Sequence, residues 1–212
     1  MIDTAHTYTG GQSEETIGEA LSGIPGNSIV ATKGGIQSGH PRALRAEIEH
    51  SLRSLRTDRI ALYYLHRVDP AVPLEESLGA IKEYQGRGKI RSVGVSNVGI
   101  DQIERARRVL PIAAVQNPYN LADRRHDAVV DYCSGEDIVF VPYVPLRGLG
   151  DPKLVEIATR HGATPQQIAL AWLVRRSPVM LPIPGTLSLD HLKENLAVMN
   201  IELSDAEFAA LR

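Results

Sequence analysis

The sequence predicts an α/β fold of the (β/α)-barrel type, and three observations lead to this prediction. Short runs rich in Val, Ile and Tyr alternate with longer segments of helical periodicity, which favours a parallel sheet with crossover helices. No glycine-rich phosphate-binding turn follows the first strand, where a nucleotide-binding doubly wound sheet would carry one. Polar residues stand where the strands end, and in a closed barrel all such ends surround one mouth. The barrel is therefore favoured over the open sheet.

Six candidate strands and one terminal stub make up the predicted sheet. Each candidate is short, rich in β-branched or aromatic residues and flanked by turn residues, as expected of buried parallel strands. The candidates span residues 28–33, 59–66, 91–97, 112–117, 138–143 and 179–184, and residues 1–3 form the stub. The sequence thus contains seven predicted strand–helix units.

Helical segments connect these strands. The clearest apolar stripe recurs at intervals of four, four and three residues and consists of Leu44, Ile48, Leu52 and Leu55. Further stripes begin behind Pro73, near Ile100 and behind Thr164, and a proline suits the first turn of a helix. Ser13 and Ser188 are predicted to be the N-caps of helices at 14–22 and 189–199.

Composition excludes several classes of function. With 23 basic against 25 acidic residues, no basic excess points to nucleic acid, and the apolar runs are too short for a membrane span. The lone Cys133 excludes an intrachain disulfide framework and a cysteine-based zinc site. The N-terminus lacks the pattern of a signal peptide. We expect a single cytoplasmic domain over residues 1–212 that binds neither nucleic acid nor a membrane.

Four titratable residues, Asp3, Tyr8, Lys33 and His66, are predicted to face one another at the barrel mouth. A tyrosine hydroxyl, with a pKa of about 10, is too weak an acid at neutral pH, but a nearby ammonium lowers that pKa. A carboxylate paired with the ammonium keeps it charged, and a histidine can hydrogen-bond a substrate carbonyl. Together these four residues can deliver a proton to a developing alkoxide. Hydride transfer from a nicotinamide cofactor is the natural way to generate that alkoxide.

Metal chemistry is not predicted from the same region. The spacing of Asp3, His6 and His66 forms no recognisable ligand set, and we expect His6 to be a loop residue near the mouth rather than a ligand. Nucleophilic catalysis is also poorly served, because Cys133 falls in a predicted helix away from the strand ends. The sequence therefore predicts no metal site.

Ordered motifs along essentially the whole chain resemble those of the aldo-keto reductase family, in particular its compact bacterial members. The motifs are IDTAHTY at 2–8, SE at 13–14, ATK at 31–33, LH at 65–66, GVSN at 94–97, VQNPY at 115–119, PYVPL at 142–146, IPGT at 183–186 and EN at 194–195. The resemblance implies a (β/α)8 TIM barrel that reduces carbonyl compounds. It also implies that Asp3, Tyr8, Lys33 and His66 are the catalytic tetrad, with Tyr8 as the general acid.

The resemblance further implies a set of cofactor-binding residues. Side chains that would contact the nicotinamide, by hydrogen bonds to its carboxamide or by stacking on its ring, are Ser96, Asn97, Gln116 and Tyr143. Residues of the later loops and of the last predicted helix would hold the rest of the cofactor, namely Pro145, Leu146, Gly185, Thr186, Ser188, His191, Glu194 and Asn195. This agrees with the general affinity of a helix start for phosphate.

Two departures from the family pattern bear on the cofactor. NADP-preferring relatives often carry Lys and Arg where this chain has Gly185 and His191. A 2′-phosphate is normally bound by a cation or by several hydrogen-bond donors, and here mainly donors are present. We therefore expect NADP(H) as the cofactor, with only modest preference over NAD(H). The strand that members carry before the motif at 2–8 would also contribute a turn near the nicotinamide.

The predicted barrel lacks its first strand–helix unit, which would leave two unpaired strand edges. Three explanations stay open: an upstream start that the sequence omits, a partner chain that covers the edges, or a shortened and functionally diverged barrel. Open edges would favour a homodimer.

The function predicted from these residues is NADPH-dependent reduction of an aldehyde or ketone to an alcohol. Two alternatives stay open, a nicotinamide-binding regulatory or sensor module and a non-redox biosynthetic enzyme on the same barrel. The four tetrad residues favour the reductase, because a binding module has no need to keep all of them.

Overall fold

The computed structural model describes residues 1–24 and 28–211 and divides into two compact units, Met1–Val115 and Gln116–Arg212. The strands of the first unit are β1 (Ile2–Asp3), β2 (Val30–Gly34), β3 (Ile60–Leu65) and β4 (Ile90–Ser96). Its helices are α1 (Gln12–Leu21), α2 (Pro41–Ser54), α3 (Leu74–Gly86) and α4 (Ile100–Val109). The prediction of one domain over residues 1–212 stays a prediction.

Strand β5 (Ile112–Pro118) begins in the first unit and ends in the second. The second unit continues with α5 (Asp127–Gly135), β6 (Val139–Tyr143), α6 (Pro152–Arg160), α7 (Pro165–Arg176), α8 (Leu189–Ala197) and α9 (Asp205–Ala210). Throughout the two described ranges, every helix is too short or too polar to span a lipid bilayer.

The strands of the first unit lie in chain order, β1-β2-β3-β4-β5. The three strand pairs from β1 to β4 are parallel. Asp3 lies opposite Ala31, and Lys33 lies opposite Tyr64. A helix follows each strand from β1 to β4, as the alternation in the sequence predicted. Because the strands are parallel, their carboxyl ends lie at the same edge of the sheet.

The predicted apolar stripes of the helices face the core of the first unit. Leu44 and Ile48 of α2 are fully buried, and so are Leu78 and Ile81 of α3. Burial of such side chains contributes about 1.5–3 kcal/mol each relative to leaving them exposed. The periodicity therefore identified the buried faces of these helices correctly.

A glycine in α1 allows this helix to pack directly against the backbone at the end of α2. A Cβ atom at Gly18 of α1 would lie 2.2 Å from the carbonyl oxygen of Ser54 and 2.8 Å from the carbonyl carbon of Leu55. Neither backbone atom can give way without a shift of the end of α2. This contact also brings Glu14, one turn before Gly18, towards His50, one turn before Ser54.

The last predicted strand is wrong. In the second unit, where the end of β5 lies next to β6, the segment after α7 forms only an isolated bridge between Phe140 and Met180. In this bridge the Phe140 amide donates to the Val179 carbonyl and the Leu181 amide donates to the Phe140 carbonyl, both at 2.9 Å. The next donor from β6 in this register would be Pro142, which has no amide hydrogen, so the ladder does not continue beyond it.

One predicted helix cap is correct and the other is wrong. The hydroxyl of Ser188 accepts a hydrogen bond from the amide of His191 at the start of α8. Helix α1, in contrast, begins at Gln12 with Gly11 as its N-cap. The Ser13 hydroxyl instead lies 2.7 Å from Oγ1 of Thr4, because the fold offers it a partner outside its own helix.

We expect Gly18→Ala to lower the free energy of unfolding by about 1–3 kcal/mol, because the new methyl group overlaps the backbone of α2. Gly79 of α3 is the matched control, since a Cβ atom there meets nothing within 4 Å. Gly79→Ala is expected to raise the free energy of unfolding by about 0.5–1 kcal/mol through higher helix propensity. Urea denaturation measures both variants, and a Gly18→Ala protein as stable as the wild type would contradict the close contact.

Candidate active site

A buried ion pair between Lys33 and Asp3 forms the centre of the candidate site. Lys33 Nζ donates hydrogen bonds to Asp3 Oδ1 at 2.5 Å and to the carbonyl oxygen of Thr4 at 2.7 Å. The Lys33 side chain is fully buried, and that of Asp3 is 9% exposed. Burial lowers the pKa of Lys33, and the neighbouring Asp3 carboxylate opposes this shift. Sequence reasoning missed Thr4, because a backbone acceptor has no signature in the sequence.

Parallel pairing of β1 with β2 brings Asp3 and Lys33 together. Asp3 is opposite Ala31, and Lys33 stands two residues further along β2, hence on the same face of the sheet. The amide of Thr4 donates to the Ala31 carbonyl at 2.8 Å, and that of His6 donates to the Lys33 carbonyl at 3.0 Å. The chain therefore follows β2 beyond the end of β1, up to the segment that carries Tyr8.

Tyr8 begins a short turn whose backbone is left-handed. Thr9 has a φ of 49° and Gly10 a φ of 67°, and Gly11 follows with 99°. This region favours glycine, which occupies two of the three positions. The Tyr8 ring centroid lies 5.0 Å from Lys33 Nζ, and the residue is 42% exposed. One side of the ring thus contacts the buried ammonium, while the residue remains accessible from solvent.

His66 follows β3 and completes the group. Its ring lies edge-to-face with that of Tyr8, with 5.9 Å between the centroids. Burial, together with the positive charges of Lys33 and Arg67, lowers the pKa of His66 to about 4. The imidazole is therefore neutral at neutral pH and can offer an N–H group without carrying a charge. The structure brings all four predicted tetrad residues together within the first unit.

The predicted nicotinamide contacts Ser96 and Asn97 lie at the end of β4 in the same unit. Ser96 is buried, and Asn97 has a left-handed φ of 60°. Asn97 Nδ2 donates to Ser96 Oγ at 3.0 Å and to the carbonyl oxygen of His66 at 3.1 Å. Asn97 thus joins the end of β4 to the residue that follows β3. Sequence reasoning missed this positioning contact, although asparagine is among the residues that tolerate a left-handed backbone.

Four of the predicted cofactor residues surround the ends of β5 and β6 in the second unit. Gln116 is buried in β5, and Tyr143 is the last residue of β6. Burial raises the pKa of the Tyr143 hydroxyl. Pro145 is buried and Leu146 half-buried in the loop that follows.

The other predicted cofactor residues lie around the start of α8. Gly185 and His191 are exposed, whereas Thr186 and Ser188 are half-buried. Thr186 Oγ1 accepts a hydrogen bond from the Ser188 amide at 3.0 Å. Glu194 and Asn195 are half-buried on α8 itself.

The side chains at these positions suit a nicotinamide dinucleotide. Amide and hydroxyl groups at 96, 97 and 116 match the donors and acceptors of a carboxamide. Hydroxyl groups and a helix start at 186–191 can bind a phosphate through neutral donors. No Lys or Arg belongs to this predicted set, so a strongly cationic subsite for a 2′-phosphate is not among its features.

Comparison with protein families and characterised sequences identifies relatives over the whole chain. The model of the aldo/keto reductase family matches residues 1–151 and 149–212. An uncharacterized oxidoreductase of Schizosaccharomyces pombe is 40% identical over 224 residues, which cover 100% of this chain and 73% of that protein. Pyridoxine 4-dehydrogenase of Escherichia coli is 36% identical over 228 residues, covering 99% of this chain and 80% of that protein.

Solved structures agree with this result. A thermostable aldo-keto reductase in complex with the inhibitor epalrestat has a TM-score of 0.94 and 35% identity, over 99% of this chain and 80% of that one. An aldo-keto reductase from Klebsiella pneumoniae in complex with NADPH has a TM-score of 0.91 and 31% identity, over 99% of this chain and 78% of that one. The similarity confirms the predicted fold class, an α/β chain of the (β/α)8 TIM-barrel type. The protein belongs to the aldo/keto reductase family and is an oxidoreductase.

Proposed function

We propose that this protein uses NADPH to reduce an aldehyde or ketone to the alcohol, with Tyr8 as the general acid. The observation that carries the proposal is the position of the Tyr8 ring, 5.0 Å from the buried Lys33 ammonium. The relative solved with NADPH and the relative named as a dehydrogenase support redox chemistry with a nicotinamide cofactor.

Lys33 stabilises the phenolate that Tyr8 becomes when its proton moves to the substrate oxygen. The ammonium is fully buried, so water screens its charge less than it would at the surface. Asp3 and the Thr4 carbonyl both accept hydrogen bonds from Lys33 Nζ, which fixes the ammonium in position. Asp3 also counteracts the loss of the proton that burial of Lys33 would otherwise favour.

His66 orients the carbonyl group of the substrate in this proposal. Its ring lies beside that of Tyr8, so a carbonyl oxygen that receives the Tyr8 proton is also near the imidazole. Because the pKa of His66 is lowered to about 4, the imidazole donates a hydrogen bond from a neutral N–H group. Proton donation thus stays with Tyr8.

The cofactor supplies the hydride when bound, and the chain's own residues position it. Ser96, Asn97 and Gln116 bind the carboxamide, and Tyr143 stacks on the ring. The rest of the molecule contacts Pro145, Leu146, Gly185, Thr186, Ser188, His191, Glu194 and Asn195. Preference for NADPH over NADH is modest, because the donors at 186–191 are mostly neutral.

We expect Tyr8→Phe to lower kcat by about 10²–10⁴-fold, because it removes the proton donor and keeps the ring. Cofactor affinity should change little. Oxidation of NADPH with a panel of aldehydes, followed by absorbance, measures the first quantity, and quenching of protein fluorescence measures the second. Tyr84→Phe in α3 is the matched control and should retain full activity. Wild-type turnover by Tyr8→Phe would rule out this mechanism.

We expect the His66 ring to titrate at about pH 4 in the folded protein, against about 6.5 for an unfolded chain. Between these values the unfolded chain binds a proton that the folded protein does not. The contribution of His66 to the free energy of unfolding therefore falls as the pH drops from about 6.5 to about 4, and it rises as the pH increases through the same window. Histidine NMR resonances, assigned with His66→Gln, measure the pKa. A His66 resonance that titrates near 6.5 would contradict the neutral role.

A further inference from the structure

Three metal-ligating side chains meet outside the tetrad, where the end of β1 comes close to α1 and α2. His6 follows β1, Glu14 lies in the first turn of α1, and His50 lies near the C-terminal end of α2. One ligand atom of each residue lies within 4.8 Å of those of the other two. Spacing along the chain predicted no ligands for His6, because only the fold brings Glu14 and His50 to it.

Glu14 is the buried member of this cluster. Its side chain is fully buried, and the Thr32 hydroxyl donates to its Oε1 at 2.5 Å. Oε2 has no hydrogen-bond partner among the described residues. His50 Nδ1 lies 3.7 Å from Oε2, which is beyond a hydrogen bond. Because a buried carboxylate oxygen without a partner is costly, this atom is a strong candidate to bind a cation.

Two histidines beside Glu14 carry nitrogen atoms that can ligate a metal. The Nδ1 atom of His6 is buried and has no hydrogen-bond partner among the described residues. The rings of His6 and His50 lie edge-to-face with 4.8 Å between their centroids. The turn passes close to the His50 ring, since a Cβ atom at Gly11 would lie 3.7 Å from His50 Cε1, in ordinary van der Waals contact. Two imidazoles and one carboxylate are a ligand set that zinc uses in proteins.

We propose that His6, Glu14 and His50 form a binding site for a divalent transition-metal ion, with zinc as the best match. Zinc–nitrogen and zinc–oxygen bonds of about 2.0–2.2 Å place the ligand atoms of a tetrahedral site about 3.4 Å apart. The 3.7 Å between His50 Nδ1 and Glu14 Oε2 is close to that separation. Magnesium and calcium prefer oxygen ligands and fit this set poorly.

A surface cavity reaches the cluster at His50. The cavity has a volume of about 430 Å³ and is lined by Glu15, Glu19, His50, Arg53, Ser54 and Arg56. His50 is half-exposed on this side, so its ring can rotate towards the ion, and water can take the fourth position. Ser54 Oγ lies 3.3 Å from His50 Nδ1, and binding of the ion replaces this contact.

A bound ion would restrain the segment that carries Tyr8. His6 precedes the turn Tyr8–Gly11, and Glu14 follows it on α1. With both residues on one ion, the two ends of the turn are tied to each other and, through His50, to α2. The site therefore acts as a structural clamp on the segment of the proposed general acid and does not take part in the reduction.

Zinc titration of the chelator-treated protein, with a chromophoric chelator as competitor, tests the proposal. The wild type is expected to bind one equivalent, and His50→Ala should weaken binding by about tenfold or more. His161→Ala is the matched control, because His161 also lies against a carboxylate, 3.1 Å from Glu207 Oε1, yet outside the cluster. It should bind zinc like the wild type.

A second readout is thermal unfolding with and without zinc. Zinc should raise the Tm of the wild type and of His161→Ala but not that of His50→Ala, and magnesium should leave all three unchanged. His50→Ala truncates a half-exposed side chain, so we expect it to fold, which circular dichroism checks. Equal zinc binding by the wild type and His50→Ala, or an equal shift with magnesium, would overturn the proposal. No reductase assay enters this test, so its outcome is independent of that of Tyr8→Phe.

Discussion

The buried ion pair of Lys33 and Asp3 is the interaction on which the rest of the candidate site depends. Removal of an ammonium from water costs roughly several kcal/mol. Only a well-oriented ion pair with further hydrogen bonds offsets that cost. The parallel register of β1 and β2 provides the geometry, and the Thr4 carbonyl adds a second acceptor. The roles proposed for Tyr8 and His66 both follow from this charge. In the proposed mechanism it stabilises a phenolate on Tyr8, and in the structure it helps to lower the pKa of His66.

Strand β2 supports two clusters because successive residues of a strand point to opposite faces. Lys33 points towards Asp3 on one face. Thr32 points to the other face and holds Glu14 through a hydrogen bond of 2.5 Å. The close contact at Gly18 then sets how near α1 and its Glu14 lie to α2. The proposed general acid and the proposed zinc site thus share one strand and one connecting segment, although their chemistry is separate.

Local patterns were enough to predict most of the strands and to select four side chains that the fold brings together, although their catalytic roles stay a prediction. Strand β3, for example, was predicted at 59–66 and spans Ile60–Leu65. The last predicted strand failed because its neighbour β6 has Pro142 where the next backbone donor of the ladder would stand. The Ser13 cap failed for a different reason, since Thr4 competes for its hydroxyl. Helix α6 was not predicted, although Asp151 before Pro152 is a readable start signal and does cap the helix.

The sequence by itself determined which residues can carry chemistry and that strands alternate with helices, because periodicity and motifs are properties of neighbouring residues. It also determined the family, since the motifs recur in order along the chain. Only the tertiary structure decided the partners of those residues. Three contacts join positions far apart in the chain. They are the hydrogen bond from Lys33 to the Thr4 carbonyl, the hydrogen bond from Asn97 to the His66 carbonyl, and the approach of His50 to Glu14. Their distances depend on strand register and helix packing, which no local pattern encodes.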